Sequence, residues 1–302
     1  MTQFAVYDRQ LVTDRGITIA LRRLNRPANT ASPRPPVLIL TGFGRPMCDL
    51  ATVAAFVSWA GPVTYRFDPP FHVGISQGEI DRFTLSGYYQ ALECALEHIS
   101  ETEGDTVEVI AFSIGLRIAL RAITEGAEVS RAVGVSGVVD LRATLRRALG
   151  YDPDAPVETL PEASPFQGHT VYREPFLADL HEHAWLAADD GLDRSTPLTL
   201  IAGTDDEWVT TADYEAFRER WGGPVETRFL AHIAHDVGKH RTAFLRLIDE
   251  LTAWSAGNPE QAPQQTAGAP IVEVIKHAVS ERRADREAAV PTYNVMQHVI
   301  RR

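Results

Sequence analysis

The chain has 302 residues, of which 44% are hydrophobic and 23% charged, a balance that excludes wholesale disorder and allows one large core or two modest ones. A net charge of -11 argues against a nucleic-acid binder held by phosphate contacts. The lack of an apolar run of about eighteen residues argues against a membrane-spanning helix. The opening MTQFAVYDRQ has no basic stretch followed by an apolar one, so no signal peptide is expected and the expected compartment is the cytoplasm. Two cysteines, Cys48 and Cys94, have no metal-ligand spacing and read as free thiols; no metal and no cofactor is expected.

In chain order, Pro36 to Leu40 is a short continuous apolar run closed by Gly42, the mark of a buried strand. Leu50 to Trp59 reads as a helix and Val63 to Phe67 as a second strand. Leu85 to Ile99 has helical spacing, Val107 to Phe112 is a third strand, and Ile114 to Ile123 is a helix. Further strands are expected over Ala132 to Val139, Pro197 to Ala202 and Val225 to Leu230, with a last helix from about Thr242 to Trp254. Strands alternating with helices imply right-handed crossovers and a mostly parallel sheet covered on both faces, an α/β architecture.

Two regions break this rhythm. Residues 140–195 carry Pro153, Pro156, Pro161, Pro165 and Pro175 and no clear buried strand, which reads as a cap inserted between two core strands. Residues 255–270, rich in Gly, Pro, Ala and Gln, read as a flexible linker after a domain spanning 1–254. The remaining 271–302 form a tail, helical over Ile271 to Ala289.

A nucleophilic serine in such a sheet sits on a sharp turn between a buried strand and a helix, where the next backbone N–H faces the developing oxyanion. The literal pattern G-x-S-x-G occurs at Gly74-Ile75-Ser76-Gln77-Gly78, but Asp68-Pro69-Pro70-Phe71-His72 precedes it. Proline cannot end a buried strand without losing ladder bonds, so Ser76 is set aside. Ala111-Phe112-Ser113-Ile114-Gly115 lies between strand-like Val107-Glu108-Val109-Ile110 and helix-like Leu116 to Arg121, making Ser113 the expected nucleophile.

The base should follow the last strand, where His235 is preferred to His232, which is closer to the strand end. The acid should follow the preceding strand, in Gly203-Thr204-Asp205-Asp206-Glu207-Trp208-Val209. Asp206 is favoured because it stands midway between Gly203 and Val209. Asp205 remains the alternative, and the aspartate not used is expected to cap the helix from Thr211. Chain order Ser, Asp, His is that of α/β-hydrolases. The backbone N–H groups of Phe43, in the turn Thr41-Gly42-Phe43-Gly44, and of Ile114 are the expected oxyanion donors.

Several segments then resemble the acyltransferase family of the bacterial bioluminescence (lux) system, the thioesterases that release tetradecanoyl groups for a fatty acid reductase. They are Gly42-Phe43-Gly44-Arg45-Pro46-Met47, Tyr65-Arg66-Phe67-Asp68, His72-Val73-Gly74-Ile75-Ser76-Gln77-Gly78-Glu79-Ile80-Asp81, Ala132-Val133-Gly134-Val135, Val139-Asp140-Leu141-Arg142, Ala148-Leu149-Gly150-Tyr151-Asp152 and Val279-Ser280-Glu281-Arg282-Arg283. Arg117, four residues after Ser113, and His235-Asp236 fit as well. The resemblance implies an α/β-hydrolase fold and a fatty-acyl thioesterase or acyltransferase acting on acyl carrier protein or coenzyme A thioesters, with another enzyme as a possible acyl acceptor. Glu207 is an extra residue against the family pattern, Gly115 replaces a small hydroxylic residue, and the cap is only partly similar, so no chain length carries over. The cap's Phe166, Tyr172, Phe176, Leu177, Leu180 and Trp185 either line an acyl tunnel or pack the cap onto the sheet. Arg142, Arg146 and Arg147, at helical spacing, either dock an acidic carrier or form a solvated face. A carboxylesterase for small oxygen esters and a catalytically silent, partner-binding scaffold are the competing readings.

Overall fold

The computed structural model describes residues 4–25, 34–185, 187, 195–237, 241–257, 274–285 and 287. Four-residue β3 (Val37–Leu40) is fully buried, and it shows why the expected strands form. Leu38 and Leu40 enter one core cluster while Val37 and Ile39 enter the other, the two-residue alternation of a strand covered on both faces. β4 (Thr64–Phe67), β5 (Val107–Phe112), β6 (Val129–Val135), β9 (Leu198–Gly203) and β10 (Val225–Leu230) extend it as a parallel sheet. Two further strands, β1 (Ala5–Val12) and β2 (Thr18–Asn25), add an antiparallel edge, giving eight strands in the order β1-β2-β4-β3-β5-β6-β9-β10.

Helices α1 (Ala51–Ala60) and α7 (Arg241–Ala256) cover one face of the sheet. Helices α2 (Leu85–Glu103) and α3 (Ile114–Thr124) cover the other. The α2 start is capped by Thr84, whose hydroxyl accepts the Gly87 N–H at 3.0 Å, a cap worth about 1 kcal/mol. β6 stops at Val135, short of the expected Val139, because Ser136 takes a positive φ of 45° and turns the chain. Among the described residues no helix is long and apolar enough to cross a membrane.

Between β6 and β9 lie α4 (Leu141–Leu149), a small hairpin of β7 (Ala163–Phe166) and β8 (His169–Tyr172), and the short α5 (Ala178–Glu182). Asp140 caps α4 by accepting the Ala143 N–H at 2.9 Å, and Gly150 closes it in the left-handed conformation, the arrangement that a helix flanked by Asp and Gly favours. Helix α6 (Thr211–Arg220) follows β9. The expected linker overlaps the end of α7, and its residues from 258 lie outside the described ones.

Within the expected tail, residues 274–285 are helical and are called α8. The reason for its docking lies in the β2–β4 register, which sets Arg22 directly opposite Arg66. Like charges in that position repel, and both are buried. Glu281 of α8 accepts from Arg22 at 2.9 Å and from Arg66 at 3.0 Å, and Asp285 accepts from Arg22 at 2.8 Å. Burial disfavours the Glu281 carboxylate, yet the two guanidiniums hold its pKa below the ordinary range.

The loop carrying the literal G-x-S-x-G pattern straps β4 to the β2 edge. Ser76 Oγ accepts the Ala20 N–H at 2.8 Å and donates to the Asp68 carbonyl at 2.5 Å. Gly74 has a φ of 125°, and a Cβ there would fall 2.2 Å from the Asp68 carboxylate. The two glycines that mimic an elbow therefore serve a strap.

Candidate active site

β5 ends at Phe112 and α3 starts at Ile114, so Ser113 alone must reverse the chain. It does so at φ 49° and ψ -120°, a conformation costing on the order of 1–3 kcal/mol for a residue with a Cβ. Neighbouring backbone holds it there. Ser113 N–H donates to Val135 O at 3.0 Å, and Ser113 O accepts from Val138 N–H at 2.9 Å. The turn also needs room. A Cβ on Gly115 would stand 2.7 Å from Thr41 O, and one on Gly42 3.1 Å from the Ser113 Cβ. Glycine thus lets the 41–44 turn lie directly beside the serine.

Ser113 Oγ is 2.9 Å from His235 Nε2, and His235 Nδ1 is 2.9 Å and 3.1 Å from the two Asp206 carboxylate oxygens. This geometry suits an Nδ1–H donating to Asp206 and an Nε2 accepting from the hydroxyl. Asp206 also accepts the backbone N–H groups of Trp208 at 3.0 Å and Val209 at 2.9 Å. Burial opposes its ionisation, but the bonds from His235, Val209 and Trp208 hold its pKa below the ordinary carboxylate range. The Trp208 ring lies 4.7 Å from the His235 ring, centroid to centroid, and fixes the imidazole plane.

Of the two candidate aspartates, then, Asp206 meets His235. Asp205 is exposed and faces the almost fully exposed His232 at 3.8 Å. Asp205 does not cap α6, contrary to expectation. Thr210 does, in a reciprocal box with Asp213, because it stands immediately before the helix whereas Asp205 lies five residues earlier.

The histidine loop is pressed against the aspartate loop. Asp205 N–H donates to Ile233 O at 3.0 Å, and a Cβ on Gly203 would fall 1.8 Å from that same oxygen. Gly203→Ala is therefore expected to lower stability by about 3 kcal/mol or more and to displace His235. Gly104→Ala, at a φ of 114° with open space around it, isolates backbone strain and should cost only about 1 kcal/mol. Denaturant midpoints of the two variants check the contrast.

The 41–44 turn has a support that the sequence did not reveal. Gly44 N–H donates to His72 Nε2 at 2.8 Å. His72 is buried, and burial pushes its pKa down to about 3, so it stays a neutral acceptor. Unfolded, it would protonate near pH 6.5. Stability from this group is thus fully present above that value and is lost as pH falls towards 3, by on the order of 4 kcal/mol in all. His72→Gln keeps an acceptor and cannot titrate; the acid arm of its stability profile should be flatter than that of the unsubstituted chain. Phe43 lies among His72, Phe83, Phe166 and His169, with centroids 5.4–6.1 Å apart.

Most of the cap's apolar residues are already packed. Phe176, Leu177, Leu180 and Trp185 are buried in the main core cluster, and Phe83 stacks on Phe176. Buried Arg117 ties α3 to the cap by donating to Trp185 O at 3.1 Å and Ala187 O at 3.0 Å. Phe166 reaches Trp208 at 5.1 Å, while Tyr172 is partly exposed. The three α4 arginines all have carboxylates: Arg142 meets Asp154, Arg146 meets Asp152 and Asp154, and Arg147 meets Asp213. All three are exposed, as on a solvated helix face, with their charges paired at the surface.

Beside Ser113 opens a cavity of about 700 Å³ whose lining includes Gly42, Phe43, Ser113, Ser136, Gln167 and His235. Among the described residues no group of three or more His, Cys, Asp or Glu side chains is placed to hold a metal ion.

The acyl transferase family profile matches residues 16–240. An acyl transferase of Vibrio campbellii is 32% identical over 231 residues, covering 74% of this chain and 75% of its own. Among solved structures, a putative hydrolase from Agrobacterium vitis superposes with a TM-score of 0.66 at 18% identity, covering 83% of this chain and 98% of its own. Mouse alpha/beta hydrolase domain-containing protein 10 gives 0.63 at 18%, covering 81% and 96%. The fold is that of the α/β-hydrolases.

Proposed function

The chain belongs to the acyl transferase family, and we propose that it cleaves fatty-acyl thioesters of acyl carrier protein or coenzyme A through an acyl-serine intermediate. One observation carries this reading: the Ser113–His235–Asp206 relay, with both links at 2.9 Å, at the edge of a cavity.

In the first half-reaction Ser113 Oγ attacks the thioester carbonyl while His235 Nε2 takes the hydroxyl proton. Asp206 holds the tautomer and stabilises the imidazolium. The oxyanion is received by the N–H groups of Phe43 and Ile114. Ile114 opens α3, where first-turn N–H groups have no partner within the helix. On collapse the C–S bond breaks, and His235 returns its proton to the departing sulfur. In the second half-reaction water or another nucleophile gives a proton to His235 and attacks the acyl-serine; the acyl–Oγ bond breaks and His235 returns the proton to Ser113 Oγ. Hydrolysis and transfer thus differ only in the acceptor.

Intact-mass measurement after mixing with acyl-CoA and acyl-carrier thioesters should show the protein heavier by one acyl group, with release of the free thiol. Faster turnover of small oxygen esters than of thioesters of equal acyl length would favour a carboxylesterase instead. No adduct with either, and no labelling by a fluorophosphonate probe, would favour a silent scaffold.

A further inference from the structure

We infer that the acyl chain is held on the α1–α7 side of the sheet, in the cavity beside Ser113 whose rim Gln167 of the cap reaches, and not among the packed apolar side chains of the cap. The inference rests on the thioesterase reading above and adds to it the place where chain length is measured.

The two places differ in what their apolar side chains already do. Beneath the cap, Phe176, Leu177, Leu180 and Trp185 are consumed by packing. On the other side, Leu50, Phe112 and Phe244 are only partly buried at the edge of the second core cluster, and all three line the cavity. Val135, Val237 and Leu247 continue its apolar wall. A volume of about 700 Å³ lies within the range, roughly 300–1,000 Å³, of small-molecule sites. The apolar wall is continuous with the nucleophile, so a chain seated in it has its carbonyl at Ser113.

Helix α8 completes this wall. Arg282 of α8 lines the cavity and donates to Cys48 O at 3.1 Å and Asp49 O at 2.6 Å. Those carbonyls lie just before Leu50, so α8 fixes the segment that forms one side of the chain site. Arg45, Asp49, Asp236 and Arg241 supply polar lining. The apolar wall of Leu50, Phe112, Val135, Val237, Phe244 and Leu247 is the part that suits an acyl chain.

The test is a chain-length series. With acyl-CoA thioesters of four to sixteen carbons, kcat/KM should rise roughly fourfold per methylene until the cavity is full. Leu50→Trp should keep the four-carbon rate within about threefold and cut the long-chain rates at least tenfold. Phe244→Ala should move the preference to longer chains, and Phe176→Ala, in the cap, should leave the profile in place. Equal losses at all lengths in Leu50→Trp, from a protein of unchanged melting temperature, would overturn the inference. So would a profile moved by Phe176→Ala and not by the other two. A second readout needs no turnover: binding of fatty acids to the Ser113→Ala protein should tighten with chain length and weaken at least tenfold with Leu50→Trp added. If no thioester is cleaved but this binding pattern holds, the thioesterase reading fails and the chain site stands; chain-independent binding overturns the chain site.

Discussion

Replacing Ser113 by alanine should lower kcat on an acyl thioester by on the order of 10⁴–10⁶-fold and abolish the acyl adduct. The residual rate would come from binding and the oxyanion turn, which the substitution leaves alone. Stability should hardly change, since alanine keeps the Cβ that makes φ 49° and ψ -120° unfavourable. Ser113→Gly removes that Cβ, should be equally inactive, and should be more stable than the parent by about 1 kcal/mol. Kinetics on both proteins, with denaturant midpoints, separate the two effects. An active Ser113→Ala protein would remove the serine from the chemistry, and an unstabilised Ser113→Gly protein would remove the strain.

Asp206→Asn should lower kcat by about 10³–10⁴-fold, because an amide can present N–H to His235 Nδ1 and draw the imidazole into the tautomer that cannot accept the serine proton. Asp205→Asn should stay within about threefold, since Asp205 is exposed and its carboxylate meets Thr204 and His232 and not His235. The pair also differs in acid. The folded Asp206 pKa is held below its ordinary value, so its stabilising contribution is present above the ordinary carboxylate range and is lost as pH falls through the depressed value. Asp206→Asn should flatten that arm of the stability profile. Thioester turnover measured for both variants decides the assignment; equal effects would refute it.

The candidate relay was legible because each member sits at or soon after the end of a strand, two of them buried and the third, β10, partly exposed. β5, β9 and β10 carry Ser113, Asp206 and His235 at or soon after their ends, and continuous apolar runs locate the first two. The β1–β2 hairpin was not legible for the converse reason. β1 is exposed along most of its length, and β2 carries Arg22 and Arg23, so neither presents an apolar run. Arg22 meets Asp8 across the hairpin, but its burial also draws on Glu281 and Asp285, 259 and 263 positions away, a pairing no local pattern encodes. His72 escaped notice likewise: its partner is a backbone N–H twenty-eight positions away. The literal serine motif misled only as a string, because its two prolines signalled a loop.

The ion lock between α8 and the first strands has a consequence for biosynthesis. A ribosome delivers Arg22 and Arg66 long before Glu281 and Asp285. Until α8 emerges, the β2–β4 pair holds two opposed cations, Arg22 with Asp8 but without Glu281 and Asp285, and Arg66 without Glu281, and breaking such a buried pairing costs about 3–5 kcal/mol. That edge therefore lacks part of its counter-charge until α8 has been made. A product terminated early would carry the whole Ser113–His235–Asp206 relay and still bear an unfinished sheet edge, the kind of fault that proteolytic surveillance removes.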